Sequence, residues 1–338
     1  MRNQVLQVLD LMRLPQGLYV ASLSRQYRYV WIRDTCYAAL SELDADNGRL
    51  EQTVQAMLDI LHPYRWKIQL HTQQKPKAEF EYIHPRYSAD TFKELVEPWG
   101  NAQNDAIGLL LYVIGEGLRR QKSMLRNEAD RQLVQLIVDY LLALEYWQDA
   151  DNGVWEENRE IHASSIGACV AGLLAISPYA RVDWQAIQRG MVALWTLLPR
   201  ESASKSCDLA QLSLIYPYRL LPREISIQLI TTVETQLLRD WGVIRYHGDR
   251  YFAEGHREAE WCLGLSWLGL CHFTMGNEQK AREYLIRTER VMPHQGVIPE
   301  LYLGQSLQPN ENTPLAWAQS MYIQLYDATQ GKSSAHTC

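Results

Sequence analysis

The sequence has few of the features that mark secreted, membrane or nucleic-acid-binding proteins. It contains six cysteines but no Cys-x-x-Cys pair, and no His, Cys or Asp set has the spacing of metal ligands, so neither a metal nor a cofactor is expected. No run approaches the ~18 apolar residues of a membrane span. The net charge is −6 without a basic block, which argues against nucleic acid and anionic membranes as partners.

The N-terminus also lacks the apolar core and cleavage site of a signal peptide. We therefore expect a cytoplasmic protein with reduced thiols. Nothing in the sequence indicates an oligomeric state. The cysteines are spread along the chain, at Cys36, Cys169, Cys207, Cys262, Cys271 and Cys338.

Phenylalanine is scarce, with 4 residues against 11 tryptophans and 19 tyrosines. Flat aromatic rings with a polar edge suit surfaces that stack on sugars and donate hydrogen bonds to them. The alternative is that a large helical core uses tryptophan for bulk.

Alternation typical of strands is rare, and helical periodicity dominates. Odd-numbered predicted helices are amphipathic, whereas even-numbered ones are apolar and small, as expected for an all-α double ring of six outer and six inner helices. An α-solenoid is the alternative, but no repeat of fixed period is present. We predict one domain over 1–330, a flexible tail over 331–338, and twelve helices at 2–13, 35–45, 49–62, 103–120, 126–147, 163–176, 184–198, 207–216, 222–238, 259–275, 277–291 and 314–328.

Residues 151–167 combine a turn, an acidic segment and the start of a buried helix. Asp-Asn-Gly at 151–153 is a turn signal, and Ser164 and Ser165 are suitable N-caps for the apolar run that follows. Acidic side chains at the mouth of a buried helix suit acid catalysis, because partial desolvation favours a protonated carboxyl group. The alternative is a solvated loop whose glutamates favour a helix start.

Polar and aromatic clusters precede most of the even-numbered helices. If the inner helices run parallel in a closed ring, these clusters converge on one rim and form a ligand site. They are Tyr29-Val-Trp-Ile-Arg-Asp-Thr, Glu97-Pro-Trp-Gly-Asn-Ala-Gln-Asn-Asp, Trp155-Glu-Glu, Arg245-Tyr-His-Gly-Asp-Arg-Tyr and Pro299-Glu-Leu-Tyr.

In this order, the segments resemble the signature segments of glycoside hydrolase family 15 over about residues 16–328. That family contains the glucoamylases and the glucoamylase-like domain of the phosphorylase kinase α and β subunits. The resemblance implies an (α/α)6 barrel and inverting attack on an α-linked gluco-oligosaccharide at its non-reducing glucose.

The resemblance also implies roles for individual residues. Glu156 matches the general acid, which protonates the leaving oxygen, and Glu300 matches the general base, which activates water. Asp34 and Asp105 are alternatively helix caps, and Arg33 and Arg245 are alternatively structural partners of acidic neighbours. The positions matched to substrate contacts are Trp31, Arg33, Asp34, Trp99, Asp105, Trp155, Glu157, Arg245, Tyr246 and Trp317.

Two alternatives to a glucose-releasing hydrolase remain open. The stretches 162–168 and 314–323 look closer to the phosphorylase kinase subunits, which favours a glucan-sensing domain with little or no hydrolysis. The segment after Trp99 also lacks the arginine that fungal members carry two residues after that tryptophan. A trehalose-cleaving member of the same family is the third interpretation.

Overall fold

The computed structural model describes residues 1–331. Apart from Gly331, the predicted tail lies outside the described residues, and so does Cys338. Within 1–331 the chain forms twelve α-helices: α1 (Arg2–Leu11), α2 (Ile32–Leu40), α3 (Arg49–Leu61), α4 (Arg65–His71), α5 (Asn104–Arg119), α6 (Glu128–Leu144), α7 (Ala163–Ile176), α8 (Trp184–Leu197), α9 (Arg223–Gln236), α10 (Leu263–Thr274), α11 (Glu278–Arg290) and α12 (Ala316–Thr329).

The predicted alternation of buried and amphipathic helices is confirmed. Nearly every residue of α2, α5, α7, α10 and α12 is buried. The helices between them, such as α6 and α11, bury one face only. A helix that is apolar on all sides needs neighbours on all sides, whereas an amphipathic helix covers a core with one face.

One helix prediction was wrong in kind, and one observed helix was not predicted. The predicted α-helix 207–216 is a 3-10 helix at Leu209–Leu214, where the Asp208 side chain accepts a hydrogen bond from Ala210 N at 2.7 Å and Pro217 prevents continuation. Helix α4 was not predicted, because its 7 residues are too few for a clear periodic pattern.

Among residues 1–331, four short strands form two antiparallel pairs, and the first strand of each pair leads into a buried helix. Strand β1 (Tyr29–Trp31) pairs with β2 (Arg86–Ser88), which places Trp31 opposite Arg86. Strand β3 (Glu260–Trp261) pairs with β4 (Leu301–Tyr302). Helices α2 and α10 therefore begin at residues 32 and 263, not at the predicted 35 and 259.

Contacts divide the chain into two compact units. Unit 1 comprises Met1–Leu14, Tyr19–Arg28 and the chain from Lys205 onward, and unit 2 comprises Pro15–Leu18 and Tyr29–Ser204. The single domain expected over 1–330 stays a prediction. Unit 1 contains Glu300 and Arg245, and unit 2 contains Glu156 and Arg33.

In unit 2, helices α5 and α7 approach each other backbone to backbone. A Cβ added at Gly108 would lie 2.4 Å from the carbonyl carbon of Ala168, and one added at Gly172 would lie 2.2 Å from the carbonyl oxygen of Gly108. Real Cβ atoms do not occupy such space, because close-packed backbones cannot yield as a side chain does. Glycine at these positions therefore permits the close packing of two helices that both lead from the candidate site.

We predict that Gly108→Ala lowers the free energy of unfolding by about 1–3 kcal/mol, because overpacking forces the two backbones apart. Gly117→Ala is a matched control on the same helix, since the three atoms nearest to its Cβ all belong to the flexible side chain of Met124 and not to a backbone. Alanine is the better helix former by ~1 kcal/mol, so the control should be close to neutral. Urea unfolding measures both, and equal stabilities would contradict the packing argument.

Candidate functional site

Arg33 lies in the first turn of α2, directly after Trp31 ends strand β1. Its guanidinium forms a two-pronged ion pair with Asp105, with Nε 2.6 Å from Oδ2 and Nη2 3.1 Å from Oδ1. Nη2 also donates to Gln103 Oε1 at 2.8 Å and to the Gly153 carbonyl at 3.3 Å. Because both charged side chains are buried, this pair fixes α2, α5 and the loop before α7 to one another.

Glu156 is held by three donors from two other segments. Trp31 Nε1 donates to Oε1 and Trp99 Nε1 donates to Oε2, each at 2.7 Å. Arg33 Nη1 lies 3.3 Å from Oε1. We call Trp31, Arg33, Trp99, Asp105 and Glu156 the Glu156 cluster. Each carboxyl oxygen has two lone-pair directions, so the group can carry a proton while both indoles donate to it.

The loop that carries Glu156 adopts a conformation that the sequence did not indicate. Glu156 has φ +60°, a left-handed conformation that costs a non-glycine residue on the order of 1 kcal/mol. Asp151 and Glu160 pair through two backbone hydrogen bonds of 2.8 and 2.9 Å, and Asn152 N donates to Ala102 O at 2.6 Å. These backbone hydrogen bonds close the loop, and the three donors to the Glu156 carboxylate fix this residue at the tip of the loop.

Three other predicted residues of unit 2, Asp34, Trp155 and Glu157, lie in the same segments. Trp155 is almost fully buried, and Glu157 is partly exposed. Asn152 Nδ2 donates to the Glu157 carbonyl at 2.6 Å. Asp34 is buried, and desolvation raises its pKa to about 7 although the Arg33 charge opposes this. Their assignment to substrate contact stays a prediction.

Glu300 precedes strand β4 in unit 1 and is 1 % exposed. The side-chain amides of Asn310 and Asn312 both donate to its Oε2, the latter at 2.9 Å. Asn312 Nδ2 is also 3.4 Å from Tyr251 OH. Neither asparagine was among the predicted site residues, although Asn-Glu-Asn between two prolines is a turn signal. Two amide donors stabilise the ionised form of a buried carboxyl group.

Arg245 is also buried in unit 1, but an acidic partner sets its position. Nε and Nη2 pair with the two oxygens of Asp249 at 2.7 and 2.5 Å. Its guanidinium carbon lies 5.0 Å from the Tyr251 ring centre, 5.2 Å from Trp261 and 5.8 Å from Tyr246. We call Arg245, Asp249, Tyr251, Glu300, Asn310 and Asn312 the Glu300 cluster. Asp249 was not among the predicted site residues. A spacing of four residues indicates a contact only within a helix, and Arg245 and Asp249 lie outside any helix.

Two predicted substrate contacts of unit 1 have close protein neighbours. Trp317, in the first turn of α12, is 4 % exposed and packs against Trp267 with ring centres 5.4 Å apart. The Lys205 ammonium lies 3.9 Å from the ring centre of Tyr246. Both rings thus contribute to the packing of unit 1, and their contact with substrate stays a prediction.

Beneath the Glu156 loop is a buried group of ionisable side chains. Asp151 Oδ2 accepts from Asn104 N at 2.9 Å, and His162 Nδ1 lies 3.4 Å from Glu201 Oε1. The His162 ring packs over Gly153, where an added Cβ would lie 2.9 Å from it. Desolvation, aided by the Asp105 charge, raises the pKa of Asp151 to about 7, while His162 and hydrogen bonds oppose the shift.

The burial of Asp151 predicts that the stability of the fold depends on pH. A carboxyl group that keeps its proton to about pH 7 in the folded state, but releases it near pH 4 when unfolded, stabilises the fold at acidic pH. That stability is lost as pH rises through 7. Between pH 5 and 8 the free energy of unfolding of the wild type should fall by about 2 kcal/mol more than that of Asp151→Asn.

Urea unfolding of both proteins at the two pH values measures this difference. Asparagine keeps an acceptor for Asn104 N, and the Asp34 contribution is common to both proteins. If the free energies of unfolding of the wild type and Asp151→Asn differ by the same amount at both pH values, Asp151 titrates as an ordinary exposed carboxyl group.

Within residues 1–331 no helix is long and apolar enough to span a bilayer. The same part of the chain contains no group of three or more His, Cys, Asp or Glu side chains arranged to hold a metal ion.

Curated relatives resemble this chain in sequence. A probable phosphorylase b kinase regulatory subunit alpha from Caenorhabditis elegans is 25% identical over 87% of this chain, which spans 30% of that protein. The same subunit from rabbit skeletal muscle is 25% identical over 91% of this chain, which spans 31% of that protein. The chain thus spans about a third of the length of these curated relatives.

Among solved structures, an alanine variant of a glycosidase in complex with glucose superposes with a TM-score of 0.83 at 22% identity, over 97% of this chain and 96% of the other. The glucoamylase of Hormoconis resinae gives 0.71 at 14% identity, over 98% and 73%. Such likeness establishes the fold, which is the (α/α)6 barrel of the glucoamylases. The family described as glycosyl hydrolases family 15 matches residues 1–325, and the chain belongs to that family.

Proposed function

We propose that this protein is an inverting hydrolase that releases glucose from the non-reducing end of α-linked gluco-oligosaccharides. In this reaction Glu156 donates its proton to the glycosidic oxygen as the bond from that oxygen to C1 breaks. Glu300 takes a proton from the water that attacks C1 from the opposite face. The oligosaccharide shortened by one unit and β-glucose are the products.

The observation that carries this proposal is the environment of Glu156. Two neutral indole N–H groups hold its two oxygens at 2.7 Å, so the carboxyl group has one fixed orientation. An acid catalyst gains from such fixation, because the proton must be aimed at a single oxygen of the substrate. A surface glutamate that only favours the start of a helix would not require hydrogen bonds from two tryptophans.

The surroundings of Glu300 support the role of base. The amides of Asn310 and Asn312 donate to Oε2 of this buried carboxyl group and favour the ionised state that a general base requires. The arginines add charge to each cluster. Arg33 is engaged by Asp105, Gln103 and Glu156, so we assign it first to positioning the acid and second to sugar contact.

A second function is favoured by the identity of the curated relatives. Several are regulatory subunits of a kinase, and a regulatory domain of this fold would bind an α-glucan without cleaving it. Such a domain needs hydroxyl contacts but no carboxyl pair with separate acid and base surroundings. The two clusters therefore favour the hydrolase.

Incubation with maltose, isomaltose, trehalose and maltotriose, followed by enzymatic assay of glucose, tests the proposal. Release of glucose from maltose or maltotriose by the wild type, and not by identically purified Glu156→Gln, supports an oligosaccharide hydrolase. Release from trehalose alone supports the trehalose-cleaving alternative. If calorimetry shows that maltotriose binds and no substrate releases glucose, the sensing function replaces the hydrolase.

A further inference from the structure

Arg86 lies against both tryptophans that hold Glu156. It is the first residue of β2, opposite Trp31 in the register of the β1–β2 pair. Its guanidinium carbon is 3.8 Å from the ring centre of Trp99 and 5.8 Å from that of Trp31. A third ring, Tyr29, has its centre 5.5 Å away. Aromatic faces therefore surround a positive charge at the back of the Glu156 cluster.

The position of Arg86 is set mainly by these rings. Its side chain is 5 % exposed, and its ion pair with Glu97 involves one nitrogen at 3.2 Å from a carboxylate that is itself 58 % exposed. Within the described residues, the buried Nε of Arg86 has no hydrogen-bond partner. Arg245 differs, because two bonds to a buried aspartate hold it. An arginine kept in an aromatic cage with so little hydrogen bonding acts through its stacking.

The two rings that Arg86 contacts donate to opposite oxygens of the same carboxyl group. Trp31 Nε1 bonds Oε1 and Trp99 Nε1 bonds Oε2. A cation over an indole face attracts the ring, which fixes its plane, and it polarises the ring, which makes the N–H a stronger donor. Both effects are transmitted to Glu156 through the indole N–H groups.

We propose that Arg86 is a further positioning residue of the acid, which acts through the two indoles and not by direct contact as Arg33 does. It holds the rings of Trp31 and Trp99 so that their N–H groups fix the Glu156 carboxyl group in one orientation. The effect on the rings follows from the contacts alone, whereas the effect on turnover rests on the proposed hydrolase function. Lysine is a poor substitute, since its compact ammonium has no plane to stack on the rings.

The test compares Arg86→Lys and Arg86→Met with two controls. Glu97→Gln removes the ion-pair partner and leaves the stacking. Arg189→Met removes another arginine–indole contact of unit 2, in which Arg189 lies 5.3 Å from the ring centre of Trp147. The first readout is the set of indole N–H signals in a ¹⁵N–¹H spectrum of the 11 tryptophans. Glu156→Gln identifies the signals that depend on Glu156.

We expect two such signals, and both should shift in Arg86→Lys and in Arg86→Met but not in the controls. With maltose as substrate, kcat should fall at least ~10-fold with KM changed less than ~3-fold, because misplacement of a reacting group costs rate more than binding. The pH–rate profile should shift in the Arg86 variants alone. If Arg86→Met does not fold, Arg86→Lys alone tests the proposal, because lysine keeps a positive charge beside Glu97 and removes only the planar group that stacks on the rings.

Unchanged Glu156-dependent signals in a folded Arg86 variant would overturn the proposal, and so would equal effects of Arg86→Met and Arg189→Met. The spectrum requires no turnover. If the wild type proves inactive on every substrate, the hydrolase function fails while the positioning role of Arg86 is still decided by the indole signals.

Discussion

Glu156→Gln is expected to lower kcat on maltose by about 10²–10⁴-fold, the usual contribution of a general acid. Glutamine is similar in shape, and its one carbonyl oxygen can still accept from Trp31 or from Trp99, but it has no acidic proton to give to a poor leaving group. Steady-state rates of glucose release from maltose measure this effect.

A substrate that needs no acid provides the internal control. Fluoride leaves without protonation, so Glu156→Gln should retain most of the wild-type rate on α-glucosyl fluoride. Glu160→Gln is the matched variant in the same loop. The Glu160 carboxylate accepts hydrogen bonds from Ser204 and lies outside the Glu156 cluster. Glu160→Gln should stay within ~2-fold of wild type. Equal losses on maltose and on the fluoride would move the acid to another residue.

Much of the Glu156 cluster could be predicted from sequence because its members lie at helix starts. Trp31 directly precedes α2, Arg33 and Asp105 lie in the first turns of α2 and α5, and Glu156 precedes α7. Helical periodicity is a local property, so the ends of buried helices can be located from the sequence. The structure brings these four residues into hydrogen-bond contact.

The parts that sequence did not predict depend on pairing and on backbone strain. Arg86 meets Trp31 through a strand pair that joins residues 55 positions apart (86 − 31), and a three-residue strand leaves no readable alternation. Glu156 adopts φ +60° in a Trp-Glu-Glu sequence that contains no residue favouring it. Such strain persists where surrounding contacts determine it, and those contacts belong to distant segments.

Unit 1 shows the same division between local and distant information. Glu300 was predicted through its resemblance to the family, whereas Asn310 and Asn312 lie in an irregular loop and were not predicted as site residues. Their amides reach Glu300 only because the chain turns back after β4, where Asn310 N bonds Leu301 O at 3.2 Å. The 3-10 helix at Leu209–Leu214 differs from the prediction because prolines end a helical pattern without changing its apolar periodicity.

Glu300→Gln should bind maltotriose almost as the wild type does and turn it over at least ~100-fold more slowly, as expected for loss of a general base. Glutamine still accepts from Asn310 and Asn312, so the surrounding structure should be kept. What is lost is the acceptor for the proton of the attacking water. Calorimetry gives the affinity, and a glucose assay gives the rate.

Glu254→Gln is the matched control in unit 1, because that carboxylate is exposed and accepts from Gln305 N and Ser306 N at the surface. It should retain wild-type turnover. Loss of binding in Glu300→Gln equal to its loss of rate would show that Glu300 is a sugar contact and not the base.

Stereochemistry then decides how Glu300 acts. An inverting enzyme breaks the α-glucosidic bond by attack of water from the opposite face, so proton NMR of the wild-type reaction should show β-glucose first. In Glu300→Ala, azide should enter the space left by the carboxyl group, attack C1 from the same face as the water, and restore turnover as β-glucosyl azide. Glu156→Ala should not be rescued in this way on maltose, because its leaving group still lacks a proton. Initial appearance of α-glucose, or formation of α-glucosyl azide, would instead require a covalent glycosyl intermediate, and the roles of acid and base proposed for Glu156 and Glu300 would be wrong.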